Sequence, residues 1–368
     1  MTLTTEEIPK TSSENGVLGQ MSSLEHEQVV HFYDRFTGLR AIVAIHNTYL
    51  GPALGGTRMW MYNNEAEALT DVLRLSRGMT YKAAISGLNL GGGKAVIIGD
   101  AKTQKNEALM RRFGKCVESL GGRYITAEDV NINTQDMEYI AMETEHVTGL
   151  PENLGGGGDP SPVTAYGVYL GIKASAKERY GSDSLKGKKI LVQGIGKVGY
   201  HLIEHLTKDG AIVYAYDISA ENLKRAVNNC GVKATEADIM FDLDIDIYAP
   251  CALGASINDE SLARLRCSII AGAANNQLLD EAKHGRVLTE KGILYAPDFL
   301  INAGGLINVS IELEGYNRDL ALQRTERIYD VTLEIFKLAN EQKIPTIEAA
   351  KKMAEQRIDA ISRISLTF

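Results

Sequence analysis

The sequence predicts an α/β protein whose two domains face each other across a cleft. Its 368 residues exceed the roughly 250–300 that one hydrophobic core usually supports. Segments with strand and helix patterns alternate along the chain, which favours a mainly parallel sheet with ligands at the carboxyl ends of its strands. A run of four glycines separates two such regions. We therefore expect a loosely held tail over residues 1–20, a first domain over residues 21–150 and a second domain from residue 151.

The composition favours small-molecule chemistry. Hydrophobic residues make up 44% and charged residues 23% of the chain, as in ordinary globular proteins, and no run approaches the ~20 apolar residues that span a bilayer. The formal charge of −8 gives no electrostatic reason to bind nucleic acid or an anionic membrane. The polar, acidic start of the chain does not resemble a signal peptide, and four scattered cysteines suit the reducing cytoplasm.

The first domain is expected to begin with a hairpin and a long helix. The extended stretches "VVHFYDR" and "LRAIVAIHNT" flank Thr37 and Gly38, which are typical turn residues. The next stretch, "NNEAEALTDVLRLSRGMTYKAAI", has Asn64 in the position of an N-cap, and Lys82 lies near its far end. Its apolar residues recur at helical spacing, as shown by Ala66, Leu69 and Leu73.

Two buried strands, "KAVIIGD" and "RYITAEDV", follow on either side of a helical segment, "NEALMRRFGKCVESL". Lys94 begins the first strand and Asp129 closes the second. Three glycines precede Lys94, but Leu88 and Ala95 occupy the positions where a phosphate-binding P-loop has its first glycine and its Ser or Thr. Such glycines indicate a close approach to the backbone, and we expect a substrate to lie there beside the amine. The alternative is that Lys94 is an ordinary solvated charge.

The glycine run lies in "LPENLGGGGDPSP", at the expected domain boundary. Four consecutive glycines do not favour regular structure, whereas Pro160 and Pro162 suit the start of a helix. Two interpretations remain open for this stretch, a flexible hinge beside the cleft and a plain linker.

The most specific motif lies in "KKILVQGIGKVGYHLIEHLTKDGAIVYAYD". A strand leads into Gly194-x-Gly196-x-x-Gly199, an amphipathic helix follows, and a second strand ends at Asp217. The first glycine permits a tight turn, the second lets backbone approach a pyrophosphate, and the third lets the helix pack on the strand. Asp217 would accept hydrogen bonds from ribose hydroxyls and repel a 2′-phosphate. The pattern indicates a Rossmann dinucleotide-binding domain that prefers NAD to NADP.

Three further segments are expected to complete this domain, namely "DLDIDIYAPCA", "SIIAGAANNQ" and "GILYAPDFLINAGG". Each ends in small or amide residues that suit a nicotinamide pocket. Asn275 and Asn302 are the candidates there; the alternative is that they cap loops. The segment "HLIEH", at residues 201–205, matches a zinc-protease pattern, but the glycine motif already explains this helix and no third ligand is evident, so no metal site is expected.

Two lysines and one acid of the first domain suit chemistry on an amino acid. A dehydrogenase that acts on an α-amino acid must hold a carboxylate, move protons at nitrogen and activate water. A charged lysine binds carboxylate, and a lysine that is desolvated or close to another cation can act as a base. Lys82, Lys94 and Asp129 are therefore the candidates for these tasks.

Seven collinear segments carry a recognisable pattern: "GPALGGTRMW", "RGMTYKAA", "GLNLGGGKAVIIGD", "GRYITAEDV", "APCALG", "AGAANNQL" and "YAPDFLINAGGLINV". Over roughly residues 26–365 they resemble the leucine/phenylalanine/valine dehydrogenases of the amino acid dehydrogenase superfamily, and most of all the leucine-acting members. The resemblance implies reversible oxidative deamination, in which an L-amino acid, NAD and water give a 2-oxo acid, ammonium and NADH. It implies that Lys94 is the general base that activates water, that Lys82 binds the substrate carboxylate, and that Asp129 transfers protons at the amino nitrogen.

The resemblance also implies which residues line the two binding sites. Those around the substrate side chain would be Leu54, Gly55, Gly56, Met79, Ala127, Leu306 and Val309. Those around the cofactor would be Gly194, Ile195, Gly196, Lys197, Val198, Gly199, Tyr200, Asp217, Ile218, Thr164, Cys251, Ala252, Ala273, Asn275 and Asn302. Ala127 is typical of leucine-acting members, whereas Leu306 stands where valine is expected, and one methylene shifts selectivity by only about 1–3 kcal/mol. Leucine, then valine and isoleucine, are the expected substrates, with phenylalanine or tryptophan as the alternative.

The same resemblance implies a homo-octamer and a C-terminal helix, within residues 341–368, that returns to the first domain and leaves residues 151–340 for the NAD-binding domain. Two other functions are alternatives. A hydroxy acid dehydrogenase of the same fold usually needs a histidine acid/base, and none of the seven histidines sits at a matching strand end. A catalytically silent NAD-binding regulatory protein would have no chemical reason to keep Lys82, Lys94 and Asp129.

Overall fold

The first domain is built around a five-stranded sheet. The structure is a computed structural model that describes residues 16–252 and 254–365. The strands of this sheet are β1 (Gln28–Tyr33), β2 (Arg40–Asn47), β3 (Ala53–Trp60), β4 (Gly91–Ile98) and β5 (Tyr124–Glu128). Their order is β1-β2-β4-β3-β5; β2 is antiparallel to both of its neighbours, and the other pairs are parallel. Four of these five strands therefore run in one direction, which confirms the mainly parallel sheet and the hairpin predicted at Gly38.

The helices beside this sheet are α1 (Val17–Leu24), α2 (Glu65–Ile85), α3 (Glu107–Glu118) and α4 (Thr134–Ala141). Asn64 caps α2 as predicted, because its side chain accepts a hydrogen bond from the backbone N–H three residues further on. Of the three apolar residues at helical spacing, Leu69 and Leu73 are buried, whereas Ala66 is exposed in the first turn. Of the predicted tail, residues 1–15 lie outside the described residues, and residues 17–20 belong to α1.

Strand β4 begins earlier than the sequence indicates. It includes all three glycines, so Lys94 is its fourth residue and not its first. Gly91 and Gly92 pair with β3, and Gly93 pairs with β2. Tertiary pairing on both sides thus overrides the weak preference of glycine for strands. Asp129 directly follows β5, as predicted.

The second domain contains a six-stranded parallel sheet. Its strands are β6 (Lys189–Gln193), β7 (Ile212–Tyr216), β8 (Lys233–Ala234), β9 (Ile247–Pro250), β10 (Ile269–Ile270) and β11 (Leu294–Tyr295). All pairs are parallel, and the order is β8-β7-β6-β9-β10-β11. This is the Rossmann order, in which the chain changes direction of growth between β6 and β9 and leaves a crevice at the carboxyl ends of these strands. The predicted Rossmann domain is confirmed; the two-residue strand β8 was not predicted.

The helices of the rest of the chain are α5 (Ser161–Tyr180), α6 (Lys197–Lys208), α7 (Ala220–Cys230), α8 (Asp259–Arg264), α9 (Glu281–Glu290), α10 (Asp298–Ile301), α11 (Gly304–Glu312), α12 (Arg318–Gln342) and α13 (Thr346–Ser365). Pro160 and Pro162 lie at the start of α5, as predicted. Arg357 of α13 reaches the first domain and donates hydrogen bonds to the carbonyls of Ala84 and Leu88 at the end of α2. Within the described ranges, no helix combines the length and the apolar character needed to cross a membrane.

The glycine-rich linker is fastened to α11 by one carboxylate. Glu312 Oε2 accepts hydrogen bonds from the N–H groups of Gly149 and Leu150, at 2.8 and 3.4 Å, and Oε1 accepts one from Gly157 at 2.9 Å. Burial raises the pKa of Glu312, and the three N–H groups oppose that rise. The linker is therefore bound to α11 both before the glycine run, at Gly149 and Leu150, and within it, at Gly157.

Candidate active site

Lys94 and Asp129, which the sequence nominates as base and proton carrier, form a buried ion pair. Lys94 Nζ lies 2.7 Å from Asp129 Oδ2, and the Lys94 side chain is only 8% exposed. Strand β3 separates β4 from β5, so the two side chains meet across a strand. A Cβ on Gly56 of β3 would lie 2.8 Å from Asp129 Cβ, and one on Gly55 would overlap the backbone of β4. The glycine pair of β3 thus leaves the room in which this ion pair sits.

A second cation, which the sequence analysis missed, contacts the same carboxylate oxygen. Arg58 Nε lies 3.1 Å from Asp129 Oδ2, and Arg58 Nη1 lies 3.0 Å from Asp71 Oδ2. Burial alone would raise the pKa of Asp129, but the charges of Lys94 and Arg58 outweigh it and hold the pKa below its usual range. The available signal was an arginine inside the apolar strand β3, because a buried charge requires a partner.

The three glycines at the start of β4 make room for protein atoms. A Cβ on Gly92 would lie 2.2 Å from Thr80 N and 2.4 Å from Ser76 O, so α2 packs directly on the backbone of β4. The Cβ positions of the two neighbouring glycines are occupied by atoms of β2 and β5. The prediction that a substrate lies against these glycines was therefore wrong. What approaches closely is α2, the helix that carries Lys82.

Thr80 extends this contact to a buried histidine. Its hydroxyl donates to His46 Nδ1 at 2.8 Å, and His46 Nε2 donates to the carbonyl of Leu24 at 3.1 Å. A carbonyl can only accept, so Nε2 carries the proton and Nδ1 is the free acceptor of a neutral ring. Burial, followed by the nearby charges of His26 and Arg77, lowers the pKa of His46 to about 3.

Lys82 connects α2 to the second domain. Its Nζ donates to Asn275 Oδ1 at 3.3 Å, and the same oxygen accepts a hydrogen bond from Asn302 Nδ2 at 2.8 Å. Three predicted site residues from two domains therefore meet in the cleft. Burial lowers the pKa of Lys82 to about 8; Asp298, a buried carboxylate missed by the sequence analysis, opposes this, and the ammonium of Lys94 adds to it. A carboxylate ligand beside Lys82 would favour its charged form.

Apolar residues expected around the substrate side chain come from both domains. Leu54 of β3 and Leu306 and Val309 of α11 are buried in one hydrophobic cluster, and Met79 of α2 packs against it. Ala127 is buried in β5, where it is in register with Gly56 of β3. These residues supply buried apolar side chains from both domains.

The turn after β6 has the shape that a dinucleotide requires. Gly194 has a left-handed φ of 98°, and a Cβ on Gly199 would lie 2.0 Å from Gly194 O, so the turn is tight and α6 packs closely. No heavy atom of the described residues lies within 4 Å of the Cβ position on Gly196, which leaves that backbone open to a ligand. Asp217 Oδ2 accepts the Ile195 N–H at 2.5 Å, which fixes the acid against the turn. These features fit a pyrophosphate and an adenosine ribose.

The remaining residues predicted to bind the cofactor lie on α5, on α6 and after strands β7, β9 and β10; they are Thr164, Lys197, Val198, Tyr200, Ile218, Cys251, Ala252 and Ala273. Tyr200 faces α7, where its ring lies 4.1 Å from the Arg225 guanidinium. Asn302 Nδ2 donates to Ala273 O at 3.0 Å, whereas its buried Oδ1 has no partner among the described residues. An unpaired acceptor at this edge suits the amide N–H of a nicotinamide.

Comparisons with protein families and with known proteins agree on one group. The chain matches the family models described as Glu/Leu/Phe/Val dehydrogenase, dimerisation domain, over residues 26–146, and Glutamate/Leucine/Phenylalanine/Valine dehydrogenase, over residues 155–221 and 216–363. It is 53% identical to a leucine dehydrogenase of Geobacillus stearothermophilus over 95% of each chain. It is 50% identical to a phenylalanine dehydrogenase of Bacillus thermotolerans, over 91% of this chain and 89% of the other. The crystal structure of L-tryptophan dehydrogenase from Nostoc punctiforme superposes with a TM-score of 0.84 at 44% identity, covering 94% of this chain and 99% of that one.

Proposed function

The chain belongs to the glutamate/leucine/phenylalanine/valine dehydrogenase family, and we propose that it catalyses the NAD-dependent, reversible oxidative deamination of a branched-chain L-amino acid, leucine first and then valine and isoleucine. The products are the 2-oxo acid, ammonium and NADH. The observation that carries this proposal is the meeting of Lys82, Lys94 and Asp129 beside the amides of the second domain.

Lys82 binds the carboxylate of the amino acid. Its ammonium group already donates a hydrogen bond to Asn275 Oδ1, so the side chain reaches toward the second domain. Because its pKa is lowered to about 8, an anion at this position is needed to keep it fully charged at neutral and mildly alkaline pH. Substrate binding and the charge of this lysine thus support each other.

Lys94 is the general base, whose neutral amine takes a proton from the water that adds to the imine carbon of the oxidised substrate, and the C–N bond then breaks to release ammonium. Asp129, with Oδ2 2.7 Å from Lys94 Nζ, carries protons to and from the substrate nitrogen. A nicotinamide cofactor, when bound, supplies the hydride acceptor for this reaction. The glycines of β3 support the arrangement by leaving space for the ion pair.

NAD is proposed as the cofactor in preference to NADP. Asp217 ends the second strand of the Rossmann sheet and is held by the Ile195 N–H. A carboxylate in this position accepts hydrogen bonds from both ribose hydroxyls and repels a 2′-phosphate.

The buried aliphatic side chains of Leu54, Leu306 and Val309 support a branched-chain substrate. The similarity to a phenylalanine dehydrogenase and to L-tryptophan dehydrogenase favours an aromatic amino acid as the second candidate. The test is NADH-dependent amination of 4-methyl-2-oxopentanoate, 3-methyl-2-oxobutanoate, phenylpyruvate and indolepyruvate, with ammonium present and absent. We expect the highest kcat/KM with 4-methyl-2-oxopentanoate. A higher value with an aromatic acid rejects the substrate assignment, and no ammonium-dependent oxidation of NADH rejects the reaction.

The assembly and its location are proposed on other grounds. The resemblance to leucine-acting members supports a homo-octamer, which light scattering of the purified protein tests directly. Four free cysteines support the reducing cytoplasm as the location.

A further inference from the structure

Asp129 is a carboxylate whose side chain is 24% exposed, with two cations on one oxygen. Its Oδ2 lies 2.7 Å from Lys94 Nζ and 3.1 Å from Arg58 Nε. If Lys94 were the only partner, release of the Lys94 proton would leave a largely desolvated carboxylate without a counter-ion, which is unfavourable. With Arg58 in place, the carboxylate stays paired while the amine is neutral.

We propose that Arg58 is a positioning residue that remains as the counter-ion of Asp129 when Lys94 gives up its proton, and thereby allows Lys94 to act as a base. Arg58 also repels the ammonium form of Lys94, since both cations share one oxygen. The inference rests on the proposed function, because that function assigns the base role to Lys94.

Arg58 is itself held from its other side. Its Nη1 lies 3.0 Å from Asp71 Oδ2, and the Tyr62 hydroxyl donates to that same oxygen at 2.7 Å. Burial raises the pKa of Tyr62, so this hydroxyl remains a donor at neutral pH. Burial would lower the pKa of Arg58, but Asp129 and then Asp71 outweigh it, so the guanidinium is permanently charged. Charges of alternating sign therefore run in a row from Lys94 to Asp71.

Four further titratable or charged groups act on this row. Lys82 of α2 acts on Asp129 through its positive charge, and Asp298 of α10 offsets Lys82. The Tyr124 hydroxyl of β5 donates to Gly55 O at 2.6 Å, and burial, with a smaller contribution from the charge of Asp129, raises its pKa so that it stays uncharged. Arg74 lies 3.7 Å from the far carboxylate of the row and is 70% exposed, so solvent screens it. Within the described residues, Asp129 contacts two cations, namely Lys94, the proposed base, and Arg58.

The test compares the protonation of Lys94 in the unaltered protein, in Arg58→Met, in Arg58→Lys and in the control Arg40→Met. Arg40 is a matched control because it lies on β2 of the same sheet and pairs with Glu65 of α2 at 2.6 Å, while its side chain is half exposed. One readout is the midpoint pH of the acidic limb in the pH profile of kcat/KM for deamination. The other is the pH midpoint for reductive methylation of the Lys94 amine by formaldehyde with a borane reductant, followed by peptide mass spectrometry. Methylation needs neither substrate nor cofactor.

In Arg58→Met both midpoints are expected to move to higher pH by about two units, the size of the effect of a cation roughly 5 Å away at an effective dielectric of about 20. Below the midpoint this is a loss of about 100-fold in kcat/KM that returns as the pH rises. Arg58→Lys restores most of the shift, and Arg40→Met leaves both midpoints unchanged. An equal loss of activity at every pH, with an unshifted methylation midpoint, shows a merely structural role and overturns the proposal.

Asp71→Asn keeps the test decisive if Arg58→Met does not fold. Asparagine retains an oxygen for Arg58 and Tyr62 but removes the negative charge, so Arg58 acts more strongly on the ion pair and both midpoints move to lower pH. A move to higher pH overturns the proposal. If the unaltered protein aminates none of the 2-oxo acids, the proposed function is rejected, and the methylation midpoints still decide the role of Arg58.

Discussion

Replacement of Gly92 by alanine tests whether α2 rests on the bare backbone of β4. A Cβ at this position would lie 2.2 Å from both Thr80 N and Thr80 Oγ1, and 2.4 Å from Ser76 O. Non-bonded heavy atoms normally keep about 3.5–4.0 Å, so helix and strand must move apart by roughly 1 Å. Two of the three obstructing atoms are backbone, and a change of side-chain rotamer cannot relieve the overlap.

The expected cost follows from this overlap. Overpacking of a well-filled interior destabilises a protein by about 1–3 kcal/mol, and we expect Gly92→Ala to lower the free energy of unfolding by at least that amount. Lys82 lies two residues beyond Thr80 on the same helix, so it moves with α2. A misplacement of about 1 Å lowers catalytic efficiency by up to about 10²-fold, and this loss should appear in kcat/KM for the amino acid more than in the binding of NADH.

Urea unfolding followed by circular dichroism measures the stability change, and initial rates over a range of leucine concentrations measure the change in kcat/KM. Gly78→Ala is the matched control, because Gly78 lies on the same helix and no heavy atom of the described residues is within 4 Å of its Cβ position. Alanine at that position should stabilise the helix by up to about 1 kcal/mol. If Gly92→Ala unfolds at the same urea concentration as the unaltered protein and keeps its kcat/KM, the close-packing argument is refuted.

Three further changes test other parts of the site. Lys94→Ala should leave NADH binding intact in a fluorescence titration but lower turnover by at least ~10²-fold, and near-normal turnover would remove Lys94 from the base role. Asp217→Ala should raise the ratio of kcat/KM for NADP to that for NAD; an unchanged ratio means that another group sets the preference. Burial lowers the pKa of His46 to about 3, whereas the unfolded chain takes up this proton near pH 6.5, so stability is complete above pH 6.5 and falls as the pH decreases. His46→Gln should remove up to about 1.4 kcal/mol per pH unit from the slope of unfolding free energy between pH 6.5 and 5.5, and an identical slope in urea titrations would contradict this.

Several elements were predictable because their signals are local. The glycine motif, the helix after it and Asp217 lie in one continuous stretch, and each glycine has a distinct steric reason that the structure bears out at Gly194 and Gly199. Helix α2 was predictable from apolar periodicity and from Asn64 at its start. Lys94 and Asp129 could be nominated from their places near strand ends, with the family resemblance supplying their roles.

Features that depend on distant segments were not predictable. In the sequence alone, three consecutive glycines indicate a break before a strand. Only the docking of α2 shows why β4 begins with residues that lack side chains. Arg58 was missed for the same reason, since its partners Asp71 and Asp129 are 13 and 71 residues away in the chain. A charge in an apolar strand gives a local signal that partners exist, but the sequence contains no local sign of which carboxylates they are.

The three hydrogen bonds on Glu312 change what four consecutive glycines mean in this chain. Fixing the backbone of one residue costs roughly 1–2 kcal/mol in entropy, and glycine loses the most freedom. A loose run of this kind would let two lobes drift apart, but here Gly149 and Gly157 both end on a single carboxylate. The backbone is therefore held by the same side chain before the run and within it, and the glycines do not by themselves make this segment a free hinge.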